Sequence, residues 1–127
     1  MVEISVLTLI ELHQLAMEET GALPEPVRDW GALESALARA PSLSAYGVHD
    51  PLQLITAVVC GLIQNHPFVD GNKRTAWQAL TWLLRDSGYQ LESALAPAEC
   101  AGMIIGLADH QLSESEFLSW LRHHVSS

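Results

Sequence analysis
Residues 66–74, "HPFVDGNKR", gather most of the side chains in this chain that could do chemistry. Lys73, the only lysine, stands beside Arg74 in a protein with 6 cationic residues against 15 carboxylates. Gly71 and Asn72 precede the pair, Asp70 lies three residues before the lysine, and His66 opens the stretch. Gly71 allows backbone conformations that other residues resist and lets a ligand come close. If a helix starts at about Lys73, its first N–H groups point outward with the positive end of the helix dipole behind them, and that is an anion site. Lys73 and Arg74 add formal charge, so a phosphate is the natural occupant. Asp70 beside phosphates is tolerable where a divalent cation lies between them. Mg²⁺ suits that place, held by one or two carboxylates, phosphate oxygens and water. Asn72 either holds the loop or donates to a phosphate. His66, with an ordinary pKa of about 6.5, suits a general base at neutral pH. Phe68 reads as an apolar plug that seats the loop in the core. Together these residues describe a transfer site for a phosphate-containing donor, working by positioning and charge stabilisation.

The loop needs rigid elements on both sides. Before it, residues from about 51 to 64 are apolar nearly all round, which places that helix at the centre of a bundle, with Asp50 as its cap and Pro51 in its first position. After it, Ala76, Leu80, Leu83 and Leu84 recur with helical period from about Lys73 to Gly88. A first helix is expected from near Thr8, whose spacing to Glu11 matches a capping box, to Gly21. "GALPEPVRDWG" follows as a loop, and residues 32–40 as a short amphipathic helix ended by Pro41. "PSLSAYGVHD" is expected to be loop. Further helices are expected over about 97–110 and from Ser113, which pairs with Glu116 in a second capping box. Strand signals are confined to "EISV" and "YQLE". The expectation is one all-α domain over residues 1–127, a compact bundle around the 51–64 helix with at most minor β segments.

Composition excludes several classes. At 127 residues, 49 % hydrophobic and 17 % charged, the chain is long and apolar enough for one real core. A net charge of −9 argues against direct nucleic-acid binding and against docking on anionic membranes. The longest apolar run, "LITAVVCGLI", is too short to span a bilayer, and the N-terminus lacks a basic region of the kind signal peptides carry. Cys60 and Cys100 read as buried thiols in a reducing compartment, so a cytoplasmic protein is expected.

The 66–74 stretch resembles the signature of the Fic/Doc superfamily, H-x-F-x-D/N-G/A-N-G/K-R, at His66, Phe68, Asp70, Gly71, Asn72, Lys73 and Arg74. The fuller Fic version, H-P-F-x-x-G-N-G-R-x-x-R, differs in two places: Lys73 stands for a glycine and Trp77 for the last arginine. Both departures, and the segment "VRDWGALESALARAP" at 27–41, resemble the Doc (death-on-curing) branch. The resemblance covers roughly residues 4–92. It implies a toxin of a type II toxin–antitoxin module that transfers the γ-phosphate of ATP, with Mg²⁺, to a hydroxyl of a protein target, elongation factor Tu being the expected one, and arrests translation. On that reading His66 is the base, Asp70 holds Mg²⁺, and Gly71, Asn72, Lys73 and Arg74 hold the phosphates. The Fic-type alternative is AMP transfer, against which Trp77 speaks. A catalytically inactive phosphate-binding member is a third reading, and a metal-dependent phosphohydrolase a fourth that would need more ligands than one loop provides. No Glu-Gly or Glu-Asn pair occurs in the chain, so the inhibitory glutamate motif of many Fic enzymes is missing, and restraint is expected in trans from a cognate antitoxin.

Other residues receive lesser roles. Arg28 and Asp29 either border the substrate cleft or form a loop-anchoring ion pair. His13 is read as a satisfied structural histidine. His123 and His124 are read as C-terminal dipole partners. Trp77, Trp82 and Trp120 are read as packing, with Trp77 a candidate wall for a nucleotide pocket. The 41–50 loop, with Tyr46 and His49, is the candidate target-docking surface.

Overall fold
A computed structural model describes residues 2–23 and 27–127. The turn expected at Pro24 and Pro26 lies outside the described residues. The fold is all-α, with seven helices among the described residues: α1 Val6–Glu19, α2 Trp30–Leu37, α3 Arg39–Ala45, α4 Pro51–Asn65, α5 Asn72–Asp86, α6 Pro97–Ala108 and α7 Glu114–His124. Two short strands, β1 Gln90–Leu91 and β2 Val125–Ser126, form a single antiparallel pair.

The centre is α4. Every residue from Leu54 to Ile63 is buried, and α2, α3, α5, α6 and α7 all pack against it. Asp50 caps it through a bond from the Leu52 N–H at 3.2 Å, and Pro51 occupies the first turn, where a missing N–H costs nothing. Close packing on one side depends on Gly61. A Cβ there would lie 3.0 Å from Arg39 Cδ and 3.1 Å from Ala36 Cα, so α2 and α3 could not approach so nearly. Arg39 spans the gap that remains, donating to the Ala57 carbonyl at 2.8 Å and pairing with Glu114 at 2.8 Å.

Several boundaries differ from expectation, each for a local reason. α1 starts earlier, because Ser5 is its cap and accepts the Thr8 N–H at 3.0 Å. The flanking positions Ile4 and Leu9 are both buried, as a hydrophobic staple requires. Residues 3–5 are therefore the helix entry, not a strand. Pro41 does not end a helix. The chain turns at Ala38, which closes α2 and opens α3, and Pro41 falls in the first turn of α3, where proline is tolerated. The expected 41–50 loop shrinks accordingly. "YQLE" does contribute β1, but its partner comes from the C-terminal tail, read as helix end alone. Around that pair, His124 Nδ1 lies 3.0 Å from Glu92, its Nε2 lies 3.6 Å from Glu99, and Trp120 donates to Glu99 at 2.8 Å. His124 is thus a clasp holding the 90–99 segment against α7. His123, bonded to the Ser119 carbonyl at 2.7 Å, keeps the helix-end role. At the start of α7 the Ser113–Glu116 capping box is present as expected.

Candidate active site
The motif forms the turn between α4 and α5. α4 ends at His66, which adopts a left-handed conformation (φ 47°, ψ 58°) unusual for a residue with a side chain. That turn points the chain back over the end of α4, and His66 stays exposed. Pro67 and Phe68 then dive inward. Phe68 is 1 % exposed, the plug expected of it. Asn72 holds the turn shut with both ends of its amide: Oδ1 accepts the Phe68 N–H at 3.0 Å and Nδ2 donates to the Phe68 carbonyl at 2.9 Å. Of the two roles left open for this side chain, holding the loop is the one the geometry displays.

Gly71 stands at the head of α5 with φ +77°. A Cβ there would lie 2.7 Å from Met17 Sδ, so both conformation and space demand glycine. The first intrahelical bond of α5 runs from the Thr75 N–H to the Gly71 carbonyl at 2.9 Å. The N–H groups of Asn72, Lys73 and Arg74 precede it and have no partner within the helix. The Lys73 and Arg74 side chains beside them are exposed. The Gly71 N–H is engaged differently: it donates to Asp70 Oδ1 at 2.7 Å. Asp70 itself is exposed, and Oδ2 has no protein partner among the described residues. Arg74 lies 3.8 Å from Glu19 of α1, a half-exposed pair that a ligand can displace at little cost.

Two distant segments brace this turn. Residues 27–29 lie along it, with Val27 bridging Phe68 in antiparallel fashion and the Arg28 and Asp29 N–H groups both meeting the Pro67 carbonyl, at 2.8 and 3.2 Å. The Arg28 guanidinium also donates to the His66 carbonyl. Arg28 and Asp29 form no ion pair with each other; Asp29 caps α2 by accepting the Ala32 N–H at 3.0 Å. From the other side comes His13 of α1, 1 % exposed. Its ring stacks on Phe68 with centroids 3.8 Å apart and planes 5° from parallel. Its Nε2 lies 3.0 Å from the Asp70 carbonyl oxygen, so Nε2 carries the proton. It is satisfied, as expected, but its partners belong to the functional loop.

His66, Asp70, Gly71, Asn72, Lys73 and Arg74 all line one groove of about 960 Å³, at the upper end of the range for small-molecule sites. The C-terminal end of α1 forms one wall, with Met17, Glu19 and Thr20. The other is apolar and comes from the β1–α6 segment, with Leu91, Leu95, Pro97 and Ile104. Trp77 also lines the groove. Cys100 is also on the apolar wall. Burial, and secondarily Glu99, pushes its thiol up, so it packs there as a neutral thiol. Tyr46 is 90 % exposed, but neither it nor His49 lines the groove.

Comparison with known proteins identifies the family. The family model described as Fic/DOC family matches residues 3–84, which include α1, the whole motif and most of α5. The chain belongs to the Fic/DOC family. Among curated Fic/DOC proteins, "Protein kinase doc" of Escherichia phage P1 is 30 % identical over 120 residues, covering 94 % of this chain and 92 % of the relative. "Toxin Doc" of Mycolicibacterium smegmatis is 46 % identical over 68 residues, 51 % of this chain and 52 % of that protein, so the chain spans about half the length of that relative. The family match ends in α5. The β1–α6 wall and the α7 clasp lie beyond it.

Proposed function
We propose that this Fic/DOC chain is a Doc-like toxin that transfers the γ-phosphate of ATP to a hydroxyl side chain of a protein, elongation factor Tu first among candidates, and so arrests translation in the cytoplasm. The observation that carries the reading is the convergence of His66, Asp70, the open amides of α5 and the Lys73–Arg74 pair in a single groove. The kinase name of the phage P1 relative, similar along nearly the whole chain, supports phosphoryl transfer. Trp77 in place of the second motif arginine supports it over AMP transfer.

The residues divide the work. The N–H groups of Asn72, Lys73 and Arg74, backed by the α5 dipole and two formal charges, hold the donor phosphates. Asn72 takes part through its backbone, its side chain being committed to Phe68. His66 stands exposed at the groove's edge to take the proton of the target hydroxyl as that oxygen attacks the γ-phosphorus. The bond to the β–γ bridging oxygen breaks and ADP departs. Asp70 fits a nucleotide-borne Mg²⁺: it is exposed, with one oxygen held by Gly71 and the other free. No cluster of three or more His, Cys, Asp or Glu among the described residues forms an all-protein metal site, which accords with an ion that keeps water and phosphate oxygens. Bound there, Mg²⁺ would supply charge neutralisation at the transferring phosphoryl group. Restraint in trans by a cognate antitoxin completes the proposal.

The test is intact-mass analysis of elongation factor Tu incubated with the chain and Mg-ATP, with His66→Ala as control. A gain of one phosphate, absent with the variant, is the expected result. A gain of one AMP would replace the kinase reading with adenylyl transfer. An unmodified target together with no ATP binding by calorimetry would leave an inactive family member.

A further inference from the structure
We propose that His13 is a positioning residue for Asp70: by holding the Asp70 carbonyl from α1 it sets the direction of the carboxylate oxygen that faces the groove. The proposal rests on the reading of Asp70 as the carboxylate that meets a divalent cation.

A histidine is an odd choice where His13 lies. The rest of that face of α1 is Leu9, Leu12, Ala16 and Met17, all buried, and a leucine would fill the same space without a polar atom to satisfy. What the imidazole adds is one N–H at the right height, 3.0 Å from the Asp70 carbonyl, across 57 residues of chain. The ring adds a second constraint, stacking flat on Phe68, whose own backbone is clamped at both N–H and carbonyl by Asn72. His13 also closes over the next residue: a Cβ on Gly71 would come within 3.6 Å of its Nε2. It therefore meets the turn both at Asp70 and two residues before it, at Phe68.

The consequence falls on a single oxygen. Asp70 Oδ1 is held by the Gly71 N–H at 2.7 Å, a contact that forms only with the 70–71 peptide in its observed orientation. His13 holds the carbonyl of that same peptide. With carbonyl and Oδ1 both fixed, Oδ2 has one direction left to it. Without the His13 bond the peptide can rotate, and Oδ1 and Oδ2 lose their assigned places. Arg28 makes the parallel contact on the His66 carbonyl, four residues earlier, and provides a control: it braces the same loop without touching the 70–71 peptide.

The experiment titrates the Mn²⁺–ATP complex into the full ¹⁵N-labelled chain and follows paramagnetic broadening of the Gly71 amide, with Asp70→Asn as the reference for lost binding. His13→Phe keeps a stacking ring and apolar burial but removes the donor. It should keep a dispersed spectrum while needing about tenfold more Mn²⁺–ATP for half-broadening, the usual effect of losing an outer partner of a metal ligand. His13→Gln retains an N–H donor and should recover most of the difference, and Arg28→Ala should titrate like wild type. A His13→Phe curve superimposed on wild type overturns the proposal and leaves the reading of Asp70 standing. So does an equal shift in Arg28→Ala, which would make the effect general loosening of the loop. A wild-type curve no different from Asp70→Asn overturns the metal role of Asp70, and His13's with it. Should His13→Phe unfold, His13→Gln decides: folded and unable to broaden Gly71, it refutes a role carried by the donor.

Discussion
Replacing Gly71 with alanine tests the packing that brings α1 against the head of α5. Two penalties are separable. The backbone at this position has φ +77°, where an L side chain costs about 1–2 kcal/mol. The new Cβ would also stand 2.7 Å from Met17 Sδ. Met17 is 4 % exposed but borders the groove, so its flexible thioether can swing aside and the overpacking costs about 1 kcal/mol, the low end for such insertions. The expected loss is therefore about 2–3 kcal/mol, a large share of the ~5–15 kcal/mol that holds a domain folded. Urea unfolding followed by tryptophan fluorescence measures it.

Two further variants apportion the loss. Gly71→Asn carries a Cβ but tolerates the left-handed region, so it should recover part of the backbone penalty and none of the steric one. Gly71→Ala in a Met17→Ala background should cost only the backbone share, giving a coupling of about 1 kcal/mol in the double-mutant cycle. A Gly71→Ala loss below about 0.5 kcal/mol would refute the geometry. An equal loss in both backgrounds would refute the Met17 contact as the reason glycine is needed.

His66→Ala should bind ATP with unchanged affinity by calorimetry while transfer falls by about 10²–10⁴-fold, the usual share of a general base; loss of binding together with transfer would show His66 to be a binding residue. Asn72→Ala leaves the Phe68 N–H and carbonyl without partners in a buried turn and should lower stability by about 2–4 kcal/mol in thermal melts, with Asn72→Asp, which keeps the acceptor, falling between. The Cys60 thiol is pushed from 9.0 to about 12, chiefly by burial. The unfolded chain then releases its proton first, so the stability this group contributes is intact below about pH 9 and is lost as pH rises toward 12, at ~1.4 kcal/mol per unit. The stability gap between wild type and Cys60→Ala should narrow across that window in urea titrations; a constant gap would contradict a buried neutral thiol.

The residues that were legible in the sequence act through their neighbours in the chain. Asp50 and Pro51 start α4 by local rules, an unbroken apolar run puts it at the centre, and the seven motif residues sit within nine positions, so type and spacing alone mark them as one loop between two helices. What escaped reading is long-range or carried by a backbone atom. Pro41 reads as a stop, yet in the first turn of α3 it has no N–H to lose. β2 is two residues long and exists only because β1 lies opposite, 34 residues away in sequence at the Leu91–Val125 pair. His124 looks like a helix-end charge until Glu92 and Glu99 are folded up to it. His13 and Arg28 are the most instructive pair. Each bonds a carbonyl oxygen of a motif residue, and every residue has such an oxygen, so no side-chain pattern in the motif marks where its braces must come from. The motif thus declares which side chains meet at the turn between α4 and α5, while the rigidity with which they are held is written elsewhere, on α1 and in the 27–29 segment. A chain that kept all seven motif residues but lost His13 would still match the signature, and would present its Asp70 on a peptide free to rotate.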